Sequence, residues 1–512
     1  MSPVSLLLLI PFLGALAILL TPSKYAAAWR GIALGATGLA VMVSLFIYFG
    51  FQPGGAGFQM TGKVDWNASI GLAYHVGVDG LNVGLLLVTA LVGFAAVGVS
   101  CDIERQPKMF YTLLLIMVGG ALGSFASLDL FFLYFFNELA LVPTFLMIGI
   151  WGRGEQKNYA AFQITLYLSL GALVALAGLI CLYALSGANT LDVVILAAWL
   201  QEHPLSDSSQ TLIFGLLLFG FGTLVGLFPF HSWAPLGYGV APTATAMMHA
   251  GILKKIGLFA LLRAAFPLLP VGVAHWTGVL AILCLGNLLY CGWVAMKQRD
   301  LNLLFGNSSL AHMGFVFLGL ASVSVIGITG AVVIMVAHAL LAALEFALSG
   351  YLYRQTGTLD LGKLGGALRQ MPFIGATLVA ALLAGCGVPG FANFAGEITV
   401  MFGVWPSFPW QVVAAAWGGL IIGGVYMLRA IRQVAHGEVS PAMAGATDAN
   451  GVSRTPYLVL LLALLYFGLA PGSLVERIKP SVERIVKLAK SASPASPVSE
   501  PSAVATASAP AH

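Results

Sequence analysis

Charge is scarce in this sequence. Asp, Glu, Lys and Arg make up 8% of its 512 residues, where a soluble globular protein carries about 25%. A water-soluble domain of this length could not cover its surface with so few, whereas lipid accepts apolar side chains and penalises charged ones. The deficit excludes a soluble fold. The net charge is only +4 and the basic residues interleave with aromatics on no one face, which excludes nucleic-acid binding. The five cysteines, Cys101, Cys181, Cys284, Cys291 and Cys386, form no CxxC pair and no Cys/His spacing for zinc or an iron–sulfur cluster. They read as small apolar helix residues. A Ser/His/Asp constellation is also missing, and Gly220, Gly222 and Gly226 lie in an apolar run that reads as helix packing, not as a nucleotide loop. No redox site is therefore expected in this chain.

What the sequence has is apolar length, with 59% hydrophobic residues. A transmembrane helix needs about 20 mostly apolar residues, and such runs start near 3, 30, 80, 109, 128, 160, 210, 243, 273, 301, 324, 371, 408 and 455. The first, Met1 to Leu20, lacks the basic flank of a signal peptide and reads as a helix. Loops after odd-numbered runs hold about fourteen Lys and Arg, Arg105, Arg153, Arg354 and Arg429 among them, against Lys63 and Arg263 after even-numbered runs. One run missed midway would scramble that asymmetry. The positive-inside rule then puts both termini on the outer side of a cell inner (plasma) membrane.

The expected fold is an all-α polytopic membrane protein of about 14 transmembrane helices, with two five-helix inverted repeats and two broken helices. Residues 1–108 hold helices 1 to 3, 109–270 a first repeat (helices 4 to 8) and 271–435 a second (helices 9 to 13). A loop and the last span fill 436–472, an amphipathic segment suited to the membrane surface fills 473–490, and 491–512 is Ala/Ser/Pro-rich and expected to be disordered. The breaks are at Gly226 and Pro229 in the seventh run and at Gly387, Pro389 and Gly390 in the twelfth. A proline frees a carbonyl that lipid cannot satisfy, so broken helices survive where they line protein or water. Two of them, five spans apart, point to an internal repeat with a polar path at the break.

Ionisable groups inside the spans are few, and each costs several kcal/mol at mid-bilayer unless paired or hydrated. They are Glu138, His249, Lys254, Lys255, His312, His338, Glu345 and Glu397. Glu138 sits in LFFLYFFNELALVPTF, where burial penalises its charge unless a cation lies near, and Lys254 and Lys255 need such a carboxylate in turn. A switch built from Glu138 and the lysine pair is the resulting expectation. Adjacent helical residues point about 100° apart, so the two lysines face different neighbours. His338 and Glu345, almost two turns apart, share a face, and Glu397 follows the second break by seven residues.

The segments FFNELALVPTFLMIGIWG, FPFHSWAPLGYGVAPTATAMMHAGILKKIGLFALLR, SSLAHMGFVFLGL, MVAHALLAALEFALSGYLY and VPGFANFAGEITVMFG resemble the antiporter-like membrane subunits of respiratory complex I, NADH:quinone oxidoreductase, and among them subunit M. The resemblance runs from about residue 75 to 435. It implies that Glu138 is the fifth-helix glutamate that modulates a lysine, Lys255 the eighth-helix relay and Glu397 the terminal group; His249, His312, His338 and Glu345, as ionisable groups inside the spans, are read as a secondary proton path. The family's seventh-helix lysine is missing: its place falls near Leu224, and Lys254 with His249 is expected to take over that role. The loop WVAMKQRDLNLL departs as well, with Asn302 and Leu303 where the family often has a Lys-Arg pair.

The resemblance implies proton translocation coupled to quinone reduction elsewhere in the complex, with no cofactor in this chain. NAD, FMN, iron–sulfur clusters and quinone belong to partner subunits, and the partners are other membrane subunits, related antiporter-like ones included, in the lipid bilayer. The rival readings are a subunit of a multi-subunit cation/proton antiporter or membrane-bound hydrogenase, and a scaffold that does not pump.

Overall fold

The computed structural model describes residues 2–55 and 57–491. In chain order its elements are α1 (Pro3–Leu20), α2 (Ala26–Gly50), β1 (Gln59–Asn67), β2 (Leu72–Val78), α3 (Val83–Val99), α4 (Pro107–Ala126), α5 (Leu130–Trp151), α6 (Lys157–Ser186) and α7 (Val193–Glu202). Then come α8 (Asp207–Val225), α9 (Trp233–Val240), α10 (243–268), α11 (Pro270–Lys297), α12 (Leu301–Ala321), α13 (Val325–Thr356), α14 (Pro372–Gly385) and α15 (Ala392–Val404). The last are α16 (Pro409–Ala435), α17 (Thr455–Leu469) and α18 (Gly472–Ala489).

Each apolar run of the sequence is helical. Among the described residues, 11 helices are long and apolar enough to cross a membrane unbroken. The remaining runs are α3, of 17 residues, the α10 stretch, and the broken pair α14–α15. Gly226 ends α8 in the left-handed region, and at the second break Gly387 and Gly390 take φ of 71° and 103°.

At the centre stands α13, 32 residues long and buried along most of its length. Its sequence is apolar on all sides, as befits a helix surrounded by others. Ser324 caps its start by accepting from Gly327 N at 2.9 Å, and Asp300 caps α12 by accepting from Leu303 N at 3.0 Å. These caps satisfy orphan backbone donors at the starts of the two helices that carry His338 and His312. Glycine lets α15 press against α13: a Cβ on Gly330 would lie 2.7 Å from Val400 N.

Three elements depart from the expectations. Strands β1 and β2 form an antiparallel hairpin, Lys63 opposite His75 and Asp65 opposite Ala73, and α7 is an extra short helix. Both are too short or too polar for a search tuned to long apolar runs. Arg263, assigned to a loop, is buried within α10, where both its terminal nitrogens bond Asp79 at 2.8 Å. A buried arginine needs such a partner. The amphipathic segment is helical as α18, but Leu474, Ile478, Val482 and Ile485 are buried against the protein. Its apolar face is thus occupied by the bundle, not by the membrane surface. The Ala/Ser/Pro-rich tail, beyond Ser491, lies outside the described residues.

Candidate proton path

The eighth span brings both lysines into the core. Its helix α10 passes through π-helical turns at His249–Leu253 and Leu261–Ala265, so Lys254 and Lys255 start the α-helical turn between them. Such π turns cluster at functional sites because they shift the side-chain register. The two lysines part company there. Lys254 Nζ donates to the Ser309 carbonyl at 3.1 Å and to the Ser309 hydroxyl, both on α12, and lies over the Tyr238 ring at 5.9 Å. Lys255 Nζ donates to the Ala250 carbonyl at 2.6 Å and meets His338 Nδ1, on α13, at 3.0 Å.

From His338 the polar groups continue. Its ring and that of His312 have centroids 5.2 Å apart, edge to face, and His312 Nδ1 lies 3.0 Å from Glu397 Oε1. Lys255, His338, His312 and Glu397 therefore form one buried row that starts on α10, crosses α13 and α12, and ends on α15 just past the second helix break. The break is shaped around that last carboxylate, since a Cβ on Gly387 would lie 2.8 Å from Glu397 Oε2.

A second group flanks the row. Glu345, on α13, is buried, and one of its oxygens, Oε1, has no hydrogen bond. His249 Nδ1 is 3.1 Å from the Tyr238 hydroxyl. Nε2 of His249, His312 and His338 are likewise buried and unpartnered. Leaving a buried polar atom unpaired costs about 1–3 kcal/mol, a cost that water in the same space removes.

Glu138 stands apart from this cluster. It is half-buried on α5, and its carboxylate accepts only from the neighbouring Asn137 side chain, at 3.2 Å. Among the described residues no Lys, Arg or His nitrogen lies within 4.0 Å of it. The expected switch between Glu138 and the lysine pair is thus not assembled within this chain. The two lysines face α12 and α13 instead, and Leu224 on α8 is buried and carries no charge. Instead Glu138 shares a stripe with Phe131, Phe135, Val142 and Leu146, all more than 40% exposed.

Sequence reasoning overlooked Asn393, fully buried on α15, and the Arg263–Asp79 pair. Asn393 had a signal: it lies one turn before Glu397 in the broken helix.

Two broken helices around a buried row of lysine, histidines and a carboxylate define a class, the ion-coupled membrane subunits that move protons through a polar seam. Sequence comparison places the chain within it. The chain belongs to the family described as NADH:quinone oxidoreductase/Mrp antiporter, TM, whose model matches residues 127–423. It is 34% identical over 507 residues to NAD(P)H-quinone oxidoreductase chain 4 1 of Nostoc sp., covering 97% of this chain and 93% of that one. A chain 4 3 of Trichormus variabilis is 35% identical over 474 residues, covering 90% and 87%. Among solved structures, a chain of respiratory complex I from Thermus thermophilus with bound NADH superposes with a TM-score of 0.87 at 30% identity, over 95% of this chain and 99% of that one. A chain of the Mrp complex from Dietzia sp. shares the fold, with a TM-score of 0.83 at 18% identity over 96% and 100%.

Proposed function

We propose that this chain is a proton-translocating, antiporter-like subunit of a NADH:quinone oxidoreductase, coupling quinone reduction in partner subunits to proton transfer across the plasma membrane. The observation that carries this reading is the row Lys255, His338, His312 and Glu397, whose neighbouring polar groups are buried and close enough for protons to pass directly or over one water. Moving a proton against 100 mV costs about 2.3 kcal/mol. That energy comes from the redox reaction, which belongs to subunits carrying NAD, FMN, iron–sulfur clusters and quinone.

In this reading Lys254 and Glu345 replace the pair that other members build around a seventh-span lysine. Both are buried, and Lys254 sits next in the chain to the relay lysine. Glu397 then releases the proton past the second break. With Arg105, Arg153 and Arg354 on the inner side, both termini face outward.

Glu138 belongs to the partnership with other membrane subunits. A carboxylate on an apolar, outward stripe is costly against lipid, so the stripe supports a neighbouring protein chain there.

The test is proton pumping per NADH in inverted membrane vesicles holding the assembled complex. Lys255→Met and Glu397→Gln should each lower it while the subunits still co-purify with NADH-oxidising partners. Full pumping in both variants would overturn the assignment, and purification without any NADH- or quinone-reactive partner would favour a stand-alone cation/proton exchanger.

A further inference from the structure

Asn393 carries an unusual burden. Its side chain is fully buried, yet neither its Oδ1 nor its Nδ2 has a hydrogen-bond partner. An amide has two donor hydrogens and two acceptor lone pairs, so an orphaned one costs more than any single unpaired atom nearby. Protein interiors tolerate such groups rarely, and a specific reason attaches to each.

Its position supplies that reason. Asn393 opens α15 directly after the break at 386–391 and stands four residues before Glu397, hence on the same helix face. Phe391, at the N-cap of α15, makes no side-chain cap, so the first turn keeps free backbone donors. Helices α13 and α15 run antiparallel: a Cβ on Gly396 would lie 3.0 Å from Ile334 N. One turn back along α15 and one turn on along α13, Asn393 comes level with His338. The unpartnered nitrogens of His338 and His312 and the unpartnered oxygen of Glu345 belong to the helices packed there.

We propose that Asn393 holds a water between His338 and His312, the step of the row without a direct hydrogen bond, making it a positioning residue of the proton path. A water needs two to four polar partners to be stable in an interior, and the Asn393 amide with the two free imidazole nitrogens provides that number. The amide does not titrate in the neutral range. It fixes the water's orientation, and the proton passes from the His338 imidazole through the water to His312, then over the direct 3.0 Å contact to Glu397, without residing on Asn393. The inference rests on the proton-path reading above, which it deepens.

The experiment compares Asn393→Leu, Asn393→Ser and Glu397→Gln in the assembled complex, measuring protons moved per NADH in inverted vesicles and thermal stability after solubilisation. Leucine keeps the branched shape and the number of side-chain heavy atoms and removes the polar ones. Asn393→Leu is expected to lower pumping without lowering stability, and Asn393→Ser, which keeps a hydroxyl and leaves room for water, is expected to recover most of it. Recovery by serine separates positioning from packing, which a smaller side chain would not restore. Unchanged pumping in Asn393→Leu beside a deficit in Glu397→Gln overturns the role of Asn393 alone. Unchanged pumping in both overturns the underlying path. Should Asn393→Leu fail to assemble, the serine variant decides, because a deficit there as large as in Glu397→Gln contradicts water positioning.

Discussion

Lys255 Nζ and His338 Nδ1 lie 3.0 Å apart in a fully buried setting, whereas Lys254, the preceding residue, turns to Ser309 on a different helix. The lysines are neighbours in sequence with separate duties, and each duty has its own consequence.

Replacing Lys255 by Met removes the first member of the row while keeping the stem's packing. Pumping per NADH should fall, with proton transfer slowed by at least about tenfold, or ~1.4 kcal/mol of barrier. His338→Leu should do the same and His338→Gln should do little better, because an amide cannot carry the proton. Vesicle proton uptake monitored with a pH-sensitive dye checks this, and equal rates in the lysine and methionine forms would remove Lys255 from the path.

Glu345 should matter more than Glu138 for events inside this chain. Glu345 is buried on α13, about two turns beyond His338, while Glu138 bonds only Asn137 and lies on an outward stripe. Glu345→Gln keeps the shape but removes a buried titratable group on the helix that carries His338, so pumping should fall. Glu138→Gln should instead weaken the response to neighbouring subunits. The discriminating measurement is pumping in the two variants side by side, and a larger deficit in Glu138→Gln would reverse the assignment.

The contrast between those two glutamates shows what a one-dimensional reading reaches. Charges in apolar runs stand out because lipid makes them expensive, so Lys254, Lys255, His312, His338, Glu345 and Glu397 were all visible, as were the helices and both breaks. Partnership was not visible, since which helix meets which depends on packing between spans 50 to 100 residues apart. In sequence Glu138 matches the lysines, because a buried carboxylate needs a cation and Lys254 and Lys255 are the lysines inside the spans. Asn393 escaped for another reason: a neutral amide carries no charge penalty and blends with helix-packing residues. The hairpin escaped because its alternation, Lys63 to Asn67 against Leu72 to His75, is short and polar beside the long apolar runs.

Asp79 and Arg263 tie the loop before α3 to α10 through two hydrogen bonds of 2.8 Å, each partner about 5% exposed or less. Removing one partner of such a pair strands the other charge, at about 3–5 kcal/mol. Asp79→Ala should lower the thermal unfolding temperature of the purified complex and loosen this subunit, whereas Asp79→Ala with Arg263→Met should recover part of the loss. A double variant no more stable than the single one would show that the pair acts by packing and not by charge.

The hairpin end of the molecule should respond to acid in two opposite ways. Burial pushes the Asp192 carboxyl up, but hydrogen bonds from His75 at 2.9 Å and Lys63 at 2.8 Å, with their charges, outweigh it and hold the group at about 2. A carboxyl held low contributes stability that is present above its ordinary range and lost only as pH falls toward about 2. Asp129, at the start of α5, is pushed up to about 6 by burial, against backbone bonds from Ala73, Phe132 and Phe131. Its folded form takes up a proton that the unfolded chain does not yet bind, so between about pH 6 and pH 4 stability rises on acidification. The hairpin amides of β1 and β2 should therefore gain protection from hydrogen exchange between about pH 7 and pH 5, after correction for intrinsic rates. Asp129→Asn should flatten that dependence. Asp192→Asn should lower protection at every pH in the range, because Lys63 and His75 lose the anion they share. Protection that falls steadily from pH 7 to pH 5 in the unaltered protein would contradict the assignment of Asp129.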